Sequence, residues 1–176
     1  NFLIIIVVIV LVLYGIGKMN NPITKQIALQ PLKDKENFKP VALIIDTETT
    51  GLIEDNSIRA TKKNVIDFDE NFPRIVQLCF MLIDKDGNYD GETFYIKQNE
   101  KIPKQVIKIH GITDEKCKSE GVELEKALSE LTIASAKIDD IVGHNIAFDY
   151  KVLHAEFLKA GIPFSLKKKN KIDTMK

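Results

Sequence analysis

Asp46 and Glu48 stand two residues apart at the end of the apolar run Val41-Ala42-Leu43-Ile44-Ile45, just ahead of Thr49-Thr50-Gly51. Side chains of an extended strand alternate between its faces, so the two carboxylates project to the same side. Acids that close repel each other unless a cation lies between them, and hard oxygen donors suit Mg²⁺ or Mn²⁺. A divalent ion at a strand end is what phosphodiester hydrolysis requires. By itself the pair is weak, because many strands end in acids that face water. A third acid, Asp149, follows Asn145-Ile146-Ala147-Phe148 at the start of a helical pattern. An acid in a first helical turn also complements the helix dipole, so the residue alone leaves both readings open.

Three further segments occur in order: Pro73-Arg74-Ile75-Val76-Gln77-Leu78, Ile109-His110-Gly111-Ile112-Thr113-Asp114-Glu115, and Val142-Gly143-His144-Asn145-Ile146-Ala147-Phe148-Asp149. Together with Asp46-Thr47-Glu48-Thr49-Thr50-Gly51-Leu52 they resemble the DEDD-type 3′→5′ exonucleases, the family that includes the proofreading subunit of the bacterial replicative polymerase. The resemblance covers residues 41–176. It implies that Asp46 bridges two divalent ions, Mg²⁺ or Mn²⁺, and that Glu48 and Asp149 are the other metal ligands. These three would carry catalysis, with the ions activating water and stabilising the leaving 3′ oxygen. It also implies that Thr49, Thr50, Leu52, His110, Asn145 and Phe148 surround the terminal nucleotide, with backbone N–H groups near Thr49 and Thr50 holding its hydroxyl or phosphate. Phe148 reads more as packing than as a stacking platform. His110 also suits a helix C-terminus before Gly111, and Thr113 an N-cap.

The expected activity is release of nucleoside monophosphates from DNA, and the expected partners are single-stranded or frayed 3′ ends, because the end must enter a pocket away from its partner strand. A polymerase or repair protein is a further expected partner. Exoribonucleases share the fold and ligands, and no residue here discriminates the 2′-hydroxyl. A membrane-tethered nucleic-acid-binding module without chemistry is the reading from a different class. The family also uses a fourth acid and a general base, as His-x-x-x-x-Asp or Tyr-x-x-x-Asp beyond the fifth strand. Nothing after Asp149 fits: His154 has no Asp five residues on, and Asp173 comes too early and matches a structural position. His144 and Asp149 have the spacing by coincidence, since a segment supplying the third ligand is poorly placed to supply the base. The domain therefore reads as C-terminally incomplete, and residues 1–176 alone are expected to be inactive or nearly so.

The 176 residues carry 44% hydrophobic and 28% charged side chains with a formal net charge of zero. Such a chain can bury one core. It has no global basic field, which excludes a grip on nucleic acid by overall charge and leaves local or metal-mediated contact. The densest basic run, Lys167, Lys168, Lys169 and Lys171, reads as a solvated face. Two cysteines, Cys79 and Cys117, lack metal-ligand spacing and point to no disulfide framework.

The elements needed to position these acids are legible in outline. Strands are expected at 41–48, 74–84, 92–97, 138–143 and 171–174, and helices at 103–111, 122–136 and 146–160. Residues 50–72 read as an irregular, flexible insert near the site. Hairpin-linked strands followed by alternating helices and strands make an α/β fold, a ribonuclease-H-like mixed sheet flanked by helices. Residues 2–16 are apolar apart from Tyr14 and Gly15, and lysines follow at 18, 25, 33, 35 and 39. Basic residues beside a span favour the cytoplasmic side. The expected organisation is an apolar N-terminal helix at 1–18, anchoring the inner face of a membrane through residues 2–17. A linker at 19–40 and an exonuclease domain at 41–176 in the cytoplasm follow. The alternatives are a secretory signal core, although Lys18 lies on the wrong side of the run for one, and an upstream piece that does not belong to the mature protein.

Overall fold

A two-residue strand β1 (Gln30–Pro31), β2 (Pro40–Thr49), β3 (Ile75–Asp84), β4 (Asn88–Tyr95), β5 (Asp140–Gly143) and β6 (Asn170–Asp173) form one sheet in the order β1-β4-β3-β2-β5-β6. The computed structural model describes residues 30–31, 36–67 and 71–175. The apolar run at 2–17, and the anchor and N-terminal helix read from it, lie outside the described residues. Among the described residues no helix is long and apolar enough to cross a membrane.

β2 pairs antiparallel with β3 and parallel with β5, and β5 pairs parallel with β6. β2 is thus central, and Ala42, Leu43, Ile44 and Ile45 are all fully buried. That accounts for its unbroken apolar run, since a strand covered on both faces has no polar side to show. β3 and β4 form the expected hairpin around Gly87, with Asp84 accepting the N–H groups of Asp86 and Asn88. The third strand begins at Asn88, earlier than its apolar residues suggest, because its first half is polar and part-exposed. β1 lies inside the stretch read as linker and is recruited by the open edge of β4, an attraction that propensity does not encode.

Helices α1 (Asn64–Asp67), α2 (Lys104–His110), α3 (Asp114–Glu120), α4 (Leu124–Ser135) and α5 (Ile146–Lys159) accompany the sheet. Leu43, Ile45, Leu78 and Phe80 of the sheet share a core with Leu128 and Leu131 of α4 and Val152, Leu153 and Phe157 of α5. Each such side chain contributes roughly 1.5–3 kcal/mol by leaving water. Thr113 caps α3 as expected, accepting the Lys116 N–H at 3.2 Å, but α3 itself was too short to read from periodicity.

The described residues of 50–72 differ from the flexible insert read from the sequence, because several of them are packed. Ile53, Val65 and Phe72 are buried in the main core. Asn71 accepts the Asp55 N–H at 2.8 Å, and the Lys151 ammonium of α5 donates to the Asn56 carbonyl at 2.9 Å. Thr61 and Asn64 cap α1 reciprocally. Among the basic run, Lys171 lies 4.3 Å from the centre of the Tyr150 ring and Lys169 donates to the Ile138 carbonyl. Structural partners thus account for two of its four lysines.

One buried ion pair ties α5 to the start of β3. Glu156, 1% exposed, accepts from Arg74 Nε at 2.9 Å and from the Ile75 N–H at 3.1 Å. Glu156→Ala leaves the buried Ile75 N–H without its acceptor and removes a charged partner from Arg74, and is expected to lower unfolding free energy by about 2–4 kcal/mol in chemical denaturation. A loss within error of zero would show that the pair is dispensable.

Candidate active site

The C-terminal ends of the parallel strands β2, β5 and β6 gather the acidic residues, the edge at which open α/β sheets take ligands. Thr47 directs its hydroxyl to α5, so alternation turns Asp46 and Glu48 to the other side of β2. Asp149 sits in the first turn of α5 and is 4% exposed. Its Oδ1 accepts the Thr47 N–H at 2.9 Å and the Thr47 hydroxyl at 2.7 Å. The residue between the two acids of β2 therefore holds the third, which the sequence reading missed. The only signal for it was the polar residue in the middle of Asp-x-Glu.

Burial raises all three acids, and the Asp46 charge adds to the shift of the other two. Burial pushes the carboxyl of Asp46 above its ordinary range, with His144 opposing. Glu48 is raised by burial and then by the Asp46 charge. Asp149 is raised to about 7, chiefly by burial; hydrogen bonding from Thr47 opposes this and the Asp46 charge adds to it. His144, set aside in the sequence as coincidence, thus lies within electrostatic reach of Asp46, with its Nδ1 3.1 Å from Thr174 Oγ1.

This donor set fits a divalent cation in kind: oxygen ligands only, each held above its ordinary pKa, two of them partly by the charge of Asp46. The side chains do not converge into a finished cage, however. Among the described residues no three His, Cys, Asp or Glu side chains are grouped to hold a metal. Like charges keep apart, and Asp149 turns its Oδ1 to Thr47 instead.

The residues expected around a terminal nucleotide divide. Thr50 is structural: its N–H donates to the Arg74 carbonyl at 2.9 Å and its hydroxyl accepts the Arg74 N–H at 2.9 Å. The backbone donor assigned to it in the sequence reading is therefore engaged, because the chain leaving β2 must be fastened to β3. Thr49, 6% exposed, closes the next turn by donating its hydroxyl to Gly51 O. Leu52 is 79% exposed. Phe148 packs half-buried against the main core, as its packing reading held. Asn145 is exposed and left-handed at φ 61°.

His110 ends α2 before Gly111, whose φ of 76° makes the C-cap turn. Its Nδ1 accepts the Ile112 N–H at 3.0 Å, so the neutral ring carries its proton on Nε2. That atom is buried without a hydrogen-bond partner among the described residues. Burial pushes the imidazole pKa down, and the Thr49 backbone opposes the shift without completing a hydrogen bond to Nε2. His110 is thereby placed beside the end of β2.

A mixed sheet with helices packed against it is consistent with a ribonuclease-H-like fold. Residues 43–176 match the RNase T model, described as exonuclease. The chain belongs to this family, the DEDD-type exonucleases. It is 28% identical over 158 residues to the PolC-type DNA polymerase III of Mycoplasmopsis pulmonis (strain UAB CTIP), covering 87% of this chain and 10% of that protein. The chain thus spans a tenth of the length of this curated relative. Among solved structures it is similar to E. coli exonuclease I in complex with a dT13 oligonucleotide, with a TM-score of 0.57 and 19% identity, over 77% of this chain and 28% of that one. A product-bound exonuclease I aligns with a TM-score of 0.58 at 18% identity, over 77% of this chain and 30% of that one. Identities this low speak to the fold alone.

Proposed function

We propose that this protein is a metal-dependent 3′→5′ exonuclease that releases nucleoside monophosphates from single-stranded or frayed DNA ends. The observation that carries the reading is that Asp46 and Glu48 lie toward the C-terminal end of β2 while Asp149 is held by Thr47 between them, in a chain of the exonuclease family. These three residues would hold two divalent ions, Mg²⁺ or Mn²⁺. When bound, such ions supply Lewis acidity to the attacking water and charge stabilisation to the leaving oxygen. The chain's own part is orientation. Thr47 fixes Asp149, the Asp46 charge bears on both other acids, and His110 stands beside Thr49 where the terminal nucleotide would lie. Leu52 presents an apolar surface and Asn145 a polar one at the same edge.

Association with a polymerase or repair protein is proposed from the likeness to a polymerase chain. A cytoplasmic place on the inner face of a membrane, through residues 2–17, is proposed from the apolar run and its following lysines.

The test is purified protein, its full reading frame included, on 5′-labelled single strands with Mg²⁺. The expected result is stepwise shortening from the 3′ end that stops with a chelator. Labelled RNA of the same sequence decides between this reading and an exoribonuclease. Binding to single strands without cleavage of either substrate would replace both with a non-catalytic binding module.

A further inference from the structure

β6 ends against the turn that launches α5. Gly143 of β5 stands opposite Asp173 of β6, and the Thr174 N–H donates to Gly143 O at 3.0 Å. Asp173 Oδ1 accepts the N–H of Asn145 at 3.0 Å and that of Met175 at 3.0 Å. His144 Nδ1 lies 3.1 Å from Thr174 Oγ1. Gly143, His144 and Asn145 are thus each tied to the same two residues of a neighbouring strand.

The turn requires such ties. Among the described residues Asn145 is the one non-glycine with positive φ, and its side chain makes no capping bond to α5. A backbone held in a sparsely populated region persists only where its surroundings over-determine it. The turn is also tight, since a Cβ on Gly143 would stand 2.8 Å from Ile146 Cδ1 and 3.1 Å from Ile45 O. From Asn145 the chain makes about one helical turn to Asp149, so a rotation of this turn displaces the carboxylate.

We propose that Asp173, with Thr174 beside it, is a positioning residue for Asp149: it locks the left-handed Asn145 turn and so keeps the Asp149 carboxylate seated on Thr47. The inference rests on the proposed metal-site reading and adds residues to it that touch none of its ligands. Asp173 works as a hydrogen-bond acceptor from two backbone N–H groups and not as a further metal ligand.

The test compares Asp173→Ala, Asp173→Asn and Thr174→Val with the parent protein by residue-resolved amide exchange and by Mn²⁺ binding. The Thr47 N–H reports directly on where the carboxylate sits, because it donates to Asp149 Oδ1. In Asp173→Ala, exchange at Thr47 and at 145–149 is expected to rise at least about tenfold, with 152–158 unchanged. Mn²⁺ affinity is expected to fall about 10–100-fold, the usual effect of losing an outer-shell partner. Thr174→Val is expected to do the same more weakly. Asp173→Asn keeps an acceptor oxygen and is expected to restore both readouts.

Unchanged exchange at Thr47 and 145–149 in Asp173→Ala overturns the proposal. So does raised exchange with unchanged Mn²⁺ affinity, which leaves only a structural tie. Equal damage by Asn and Ala also overturns it, since the charge itself would then be needed. If the parent protein binds no Mn²⁺, the metal reading of the site fails separately, and the exchange at Thr47 still decides whether Asp173 positions Asp149.

Discussion

Asp46→Ala is expected to lower exonuclease turnover at least about a thousandfold, about 4 kcal/mol of barrier, while the domain stays folded. Asp46 is the electrostatic centre of the site: its charge raises the pKa of Glu48, of Asp149 and of Cys79 across the strand. A carboxylate in that position is the one best placed to share two cations, and no neighbouring acid replaces it from the same strand register. The side chain adds little to the core, because it is only half-buried at a strand end. Its removal also relieves repulsion, so the melting temperature should hold or rise. Single-turnover digestion of a 5′-labelled strand, alongside circular dichroism, makes the measurement. Normal rates in the folded variant would remove Asp46 from the site.

Asp149→Asn is expected to abolish activity to a similar degree and yet to stabilise the metal-free protein at pH 8. The wild-type carboxyl titrates at about 7 instead of 3.8, mainly because burial disfavours its charge. Between those values the folded state binds more protons than the unfolded state, so stability falls as pH rises through the window. Below about pH 4 the penalty is absent, and above about pH 7 it is complete. Asp46 and Glu48, also raised, act with the same sign. Asn cannot ionise but keeps an oxygen for both Thr47 donors, so the variant escapes its share of the penalty.

At about 1.4 kcal/mol per pKa unit, the gain at pH 8 is a few kcal/mol at most. Melting temperatures between pH 4.5 and 8 should decline for the wild type and decline less for the variant. Mg²⁺ should recover part of the wild-type loss at pH 8 and little of it near pH 5. Parallel pH curves for the two proteins, or an active Asn variant, would contradict this account of Asp149.

The sheet core was legible because its signals are local. The run at 41–45 with no polar alternation fits a strand covered on both faces, and the Leu124, Leu128, Leu131 spacing fits one face of a helix. Less legible were elements whose sequence is polar or short. The first half of β4 carries few apolar residues, and α3 spans two turns at most. Residues 50–72 looked like a free loop because Ile53, Val65 and Phe72 are scattered singly through polar sequence, and only the assembled core shows where each one lands. That Thr50 is bonded through both its N–H and its hydroxyl to Arg74, just ahead of β3, was illegible for a similar reason.

Sequence alone determined which acids share a strand face, because a two-residue period is set within β2 itself. It also determined the order of segments that places this chain among the DEDD-type exonucleases. Tertiary structure decided the rest: that Thr47 grips Asp149 from 102 residues away, that Asp173 holds the Asn145 turn, and that Glu156 seats Arg74. Backbone periodicity acts over a few residues and cannot specify which strand ends become neighbours. Those pairings follow from burying one face of β2 against α5 and laying β6 beside β5, and they exist only once the sheet has closed.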